Sequence, residues 1–187
     1  MLTLHLSVIF LLIIVNGFFA MAEIALVASR KARLQPLAEV GNPGAEAALE
    51  LKADPSRLLA TVQIGVTVIA ILSGTFGEAT LGDTLQQEIE SYQGLFARYA
   101  HIVSMAVVVI GIAYFSLILG ELVPKRIALV HPERIAAALA RIMRVIARVG
   151  APIEWLLSAS TNLVLRLLPL RGQRTAPVTD EEISFMR

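Results

Sequence analysis

The sequence contains no cysteine, which excludes disulfides and thiolate metal centres. Its three histidines, His5, His101 and His131, are scattered and form no zinc-type pair. Charge is scarce: 17% of the residues are Asp, Glu, Lys or Arg, against roughly 25% in soluble domains. No nucleophile–base pair, glycine-rich phosphate loop or metalloprotease motif is present, so an enzyme reading finds no support. The basic residues have no aromatic interleaving, which argues against a nucleic-acid partner. What is abundant is apolar surface. The chain is 56% hydrophobic with a mean hydropathy of +0.72, and its 187 residues read as one integral membrane domain.

Three stretches carry no Asp, Glu, Lys or Arg for a spanning length: 1–22, 58–77 and 100–120. They predict an all-α membrane fold with spans over 3–28, 57–77 and 99–122. Ala20-Met21-Ala22 has the look of a signal-peptide cleavage site. However, the run lacks a basic start, is too long and continues as a helical pattern through Val27, so it reads as a retained span. Arg30, Lys31 and Arg33 follow the first span, and Lys125 and Arg126 follow the third. The stretch 78–98, after the second span, carries four acids against one base. By the positive-inside rule the amino terminus lies outside and the carboxyl terminus in the cytosol, at a cell (inner) membrane.

Between the first two spans, Gly41-Asn42-Pro43-Gly44 predicts a turn and 45–53 a short helix. Asp54 then caps the second span, with Pro55 in its first turn. The stretch 78–98 predicts an amphipathic helix and a turn at Gln93-Gly94. From His131 on, Arg134, Arg141, Arg144 and Arg148 fall within roughly 80° on a helical wheel. That is the pattern of juxtamembrane helices, about 132–168, lying as a belt on an anionic leaflet. Pro152 is expected to break this section. Residues 153–168 then complete a hairpin in the cytoplasmic leaflet or form a fourth span. Residues 171–187 read as a linker and the start of a further cytosolic helix, with Thr179 as N-cap and Glu182 at the capping-box position.

The polar residues inside the spans are few. The first span holds Asn16-Gly17, and Glu23 is its first charge. The second holds Gln63 and Thr67 on one face, and Ser73 near its far end. The third ends in Gly120-Glu121-Leu122-Val123-Pro124-Lys125-Arg126. Pro124 has no N–H and clashes with the carbonyl one turn back, which frees the Gly120 carbonyl. A carboxylate beside a freed carbonyl in an apolar setting points to a hard-cation site. The alternative is a solvated interfacial Glu121 with Pro124 simply ending a membrane helix.

Three stretches together resemble the transmembrane domain of the CNNM/CorC family. They are Asn16-Gly17-Phe18-Phe19-Ala20-Met21-Ala22-Glu23, Thr61-Val62-Gln63-Ile64-Gly65-Val66-Thr67 and Gly120-Glu121-Leu122-Val123-Pro124-Lys125. The terminal Val178-Thr179-Asp180-Glu181-Glu182-Ile183 is similar to the family's entry into a cytosolic pair of CBS domains. The resemblance implies a homodimeric magnesium transporter, generally an exporter coupled to inward sodium movement. It implies a dehydrated Mg2+ held by Glu121, Gly120 and Asn16, by the carbonyl of Ala20 (a position that is often serine), and by Ser73, with Thr67 as the fallback. Thr67 and Gln63 are candidates for a sodium or secondary polar site. Two rival readings stay open: a magnesium-sensing membrane module that moves no ion, and a transporter of another divalent ion such as cobalt. An all-oxygen site without His or Cys favours a hard ion.

Overall fold

The computed structural model describes residues 2–91 and 97–167, and these contain helices and no strand. The predicted turn at Gln93-Gly94 and the linker with its Thr179 and Glu182 cap lie outside the described residues. Helix α1 (Leu2–Ala28) runs unbroken through Ala20-Met21-Ala22. Two short helices follow, α2 (Lys31–Glu39) and α3 (Pro43–Ala53), joined where Gly41 adopts φ 82°, a conformation open to glycine. Asn42 caps α3 by accepting from the Gly44 and Ala45 amides at 2.9 and 3.1 Å. Asp54 caps α4 (Pro55–Gly77) by accepting from the Arg57 amide at 3.1 Å, the cap that the sequence predicts.

The second helical stretch does not stop at its predicted end. A wide π turn (Glu78–Gly82) joins α4 to α5 (Asp83–Ser91). A short 3₁₀ turn (Ala97–Tyr99) leads into α6 (Ala100–Leu117). A second π turn (Ile118–Leu122) then joins α6 to α7 (Val123–Val130). Among the described residues, three helical stretches are long and apolar enough to cross a membrane: Thr3–Ala28, Pro55–Ser91 and Ala100–Val130. Pro124 therefore does not end its helix. The π turn places it in the first turn of α7, where a missing N–H is tolerated.

Helix α8 (Pro132–Leu167) also differs from expectation, because Pro152 lies inside it and the predicted hairpin over 153–168 does not form. One missing hydrogen bond is a local loss that the turns on either side survive. The chain divides at this proline into two compact units, Met1–Ala151 and Pro152 onward. In the second unit the apolar side chains Ile153, Trp155, Leu156, Leu163 and Val164 are exposed.

The core of the first unit is built at the end of α1 that the sequence assigns to the cytosol. Ala22, Ala25 and Leu26 of α1, Leu34 of α2, Ala45 and Ala48 of α3, Val62 of α4, Ala128 of α7 and Ala136 and Met143 of α8 form one buried cluster. Its alanines let helix backbones approach closely, the packing mode of helices whose outer faces meet lipid. Leu4, Phe10, Ile14, Ile71, Ile110 and Phe115 point outward from the spans, as a bilayer solvent permits. Lys52 of α3 donates to the Leu26 carbonyl at 2.5 Å and so caps the open end of α1.

Candidate functional site

The second π turn holds the two residues on which the sequence reading converges. The Val123 amide bonds to the Ile118 carbonyl five residues back, so one extra residue is accommodated in this turn. Helix α1 packs directly on it. A Cβ at Gly120 would stand 3.0 Å from Asn16 Nδ2 and 3.2 Å from the Ile13 carbonyl oxygen. A Cβ at Gly17 would stand 3.1 Å from Pro124 Cγ. At both glycines a Cβ would be a tight contact that its neighbours must yield to, so the two helices approach closely there.

The Gly120 carbonyl that Pro124 frees is taken by Asn16, whose Nδ2 donates to it at 3.1 Å. That donation leaves Asn16 Oδ1 buried and without a hydrogen-bond partner among the described residues. A buried acceptor in that state carries a cost of about 1–3 kcal/mol.

Asn16, Ser73, Ser116 and Glu121 line one cleft of about 320 Å³ between α1, α4 and α6. The remaining walls are aliphatic or small, including Val66, Ile69, Val109 and Ile112. Glu121 is the one charged residue among those lining it. Most hydroxyls in these helices bond to their own backbone: Thr61 to Arg57 at 2.9 Å, Thr80 to Phe76 at 2.7 Å and Ser104 to His101 at 3.0 Å. Ser73 and Ser116 make no such bond among the described residues. The cleft is therefore lined by a carboxylate residue, two serines and the Asn16 side chain, whose oxygen is buried in its wall. All carry hard oxygen donors of the kind that magnesium and calcium take.

The structure thus gathers Asn16, Ser73, Gly120 and Glu121, and adds Ser116. The sequence reading missed Ser116, although it stands four residues before Gly120 on the same helical face. Ala20 is buried but does not line the cleft, and α1 is regular there, so its carbonyl belongs to the helical ladder. Gln63 and Thr67 are exposed on α4, and neither lines the cleft. Arg134 and Arg141 of the basic belt are exposed. Arg144 and Arg148 turn to Glu50 of α3, at 2.9 and 3.6 Å. The Arg144 hydrogen bond, helped by the nearby Arg148 charge, holds the Glu50 carboxyl below the usual glutamate range.

Glu121 is not alone at the cleft's lower edge. Lys125 Nζ donates to its Oε1 at 2.6 Å and stands 3.9 Å from Glu23 Oε2 of α1. Glu23, which the sequence leaves as a charge facing protein or water, thus belongs to the same group.

Comparison with known proteins agrees over almost the whole chain. Residues 7–186 match the family model described as the cyclin M (CNNM) transmembrane N-terminal domain. A UPF0053 protein of Synechocystis is 45% identical over 183 residues, 98% of this chain and 41% of that protein. A protein of Mycobacterium tuberculosis is 37% identical over 178 residues, 94% of this chain and 50% of its own length. The polyamine export protein of Escherichia coli K12 is 34% identical over 176 residues, 94% of this chain and 39% of that protein. The chain thus spans half or less of the length of these curated relatives.

Proposed function

The chain belongs to the CNNM transmembrane-domain family, and from that premise we propose that it exports magnesium from the cytosol, with sodium moving inward, through the cleft at Glu121. The observation that carries this reading is that Asn16, Ser73, Ser116 and Glu121 line one cleft between the three spanning stretches. The polar residues that line it all carry oxygen donors, and none of the lining residues is a lysine, arginine, cysteine or histidine. Magnesium takes six oxygens and sheds water reluctantly, so the cleft would supply some ligands and water the rest. One carboxylate does not neutralise a divalent ion. The ion keeps positive charge in an apolar surround, which favours passage over permanent retention. The homodimer, the sodium coupling and the cytosolic CBS pair belong to the same reading.

A second reading is favoured by Lys125. Its alkylammonium already rests on Glu121, and the cleft walls are largely aliphatic. An organic polycation fits such a surface, and a relative bears the name polyamine export protein.

Proteoliposomes loaded with a magnesium-sensitive dye test both readings. Glu121→Ala should slow sodium-dependent magnesium efflux by about tenfold or more, tenfold being the factor carried by ~1.4 kcal/mol of lost cation binding. Wild-type movement of labelled putrescine without magnesium would replace the first reading by the second. Binding by the wild type without flux of either cation would make the chain a sensing module.

A further inference from the structure

Two carboxylates from different helices share one tethered cation at the cleft. Lys125 Nζ lies 2.6 Å from Glu121 Oε1 and 3.9 Å from Glu23 Oε2, and the three side chains are 31%, 41% and 29% exposed. A glutamate four residues before a lysine is an ordinary helical pair, weakly stabilising as a rule. Two features go beyond that. Glu121 also lines the cleft, so its carboxylate faces competing demands from the ammonium and from any ion that enters. Glu23 comes from α1, so the ammonium has a second place to rest without leaving the site.

We propose that Lys125 is a built-in competitor for the transported cation. Between transport events its ammonium neutralises Glu121. When an ion takes Glu121, the ammonium shifts onto Glu23, and its return helps to expel the ion. The inference rests on the reading of Glu121 as an ion ligand.

Charge explains why such a device serves transport. The two carboxylates and the ammonium together carry −1 when no ion is present, and +1 with a divalent ion. Without the lysine the same pair would carry −2 when empty and be neutral when loaded. That is the balance of a site that retains its ion, because close opposite charges attract one another. The lysine therefore weakens binding in exchange for release.

The test is titration of the full chain in nanodiscs with magnesium chloride by calorimetry, paired with magnesium flux in proteoliposomes. Lys125→Met should bind magnesium about fivefold more tightly, the factor that a partly exposed ion pair supports, and should turn over more slowly. Lys125→Gln should behave alike, and Lys125→Arg should stay near wild type. Arg126→Met removes the same charge one residue further on and should leave affinity near wild type. Unchanged or weaker binding in both Lys125→Met and Lys125→Gln would overturn the proposal, as would equal tightening in Arg126→Met. If Glu121→Gln binds magnesium like the wild type, the ligand reading itself fails, and the proposal with it.

Discussion

At the scale of single residues, the two ends of the Asn16 amide are in different states. Its place in an apolar run marks it as either packing glue or a ligand. The fold pairs Nδ2 with the Gly120 carbonyl and leaves Oδ1 as the unmatched acceptor. Asn16→Leu removes both. It leaves the Gly120 carbonyl unpaired, at about 1–3 kcal/mol, and takes one oxygen from the cleft wall. We expect a lower thermal midpoint in detergent together with weaker magnesium binding. Asn16→Ser, which keeps an oxygen but loses the reach of the amide, should recover part of the binding and little of the stability. Recovery of stability without binding would mean that the Gly120 contact is merely local packing. The sequence marks Asn16, Gly120 and Glu121, because amides, glycines and carboxylates stand out among leucines. It does not mark the bond between Asn16 and Gly120, which joins residues 104 positions apart. Ser116 is hard to read for a related reason: one serine in a span is ordinarily a back-bonded residue, as Ser104 is.

At the scale of elements, Pro124 is legible as a disturbance but not as the disturbance it makes. Proline in a helix interior costs about 3 kcal/mol or more, so an end to the helix is the natural expectation. The chain instead inserts one residue as a π turn and continues to Val130. The neighbouring α1 makes this affordable by supplying the Asn16 amide in place of the lost backbone donor. Such a rescue depends on tertiary packing that no local pattern encodes. At Pro152 the helix α8 also continues, there because one lost hydrogen bond is a local loss. Pro124→Ala restores an N–H that can reach the Gly120 carbonyl in competition with Asn16. The turn should then relax towards regular α-helix and rotate Glu121 away from the cleft. We expect the variant to be at least as stable as wild type to denaturant and to lose most magnesium transport, about tenfold or more. Hydrogen exchange at the new residue 124 amide should show protection. A protected amide with full transport would separate the π turn from the cation site.

At the scale of the whole molecule, the distribution of charge is the feature that sequence and fold share most closely. Arg30 to Arg33 with α2, Lys52 with α3 and the start of α8 all gather at the carboxyl-terminal end of α1. They are held there by the Arg30 amide and the Arg33 side chain on Glu133 of α8, and by Lys52 on the Leu26 carbonyl. Glu78, Asp83, Glu88 and Glu90 lie along the outer part of the second spanning stretch, in the first π turn and α5. That polarity predicts an orientation with the basic end in the cytosol, since short cytosolic segments retain their lysines and arginines. With that orientation, on the proposed export reading the Glu121–Lys125–Glu23 group at the basic end of the spans would meet ions arriving from the cytosol. The chain has no cysteine, so a single introduced thiol reports its own side of the membrane. Gln87→Cys on α5 and Gln35→Cys on α2 are both at exposed positions. In right-side-out spheroplasts a membrane-impermeant maleimide should label Gln87→Cys at once and Gln35→Cys only after permeabilisation. Labelling in the reverse order would turn the basic end outward. The lysine-guarded carboxylate would then face incoming rather than outgoing ions, and the same cleft would have to be read as a path for uptake.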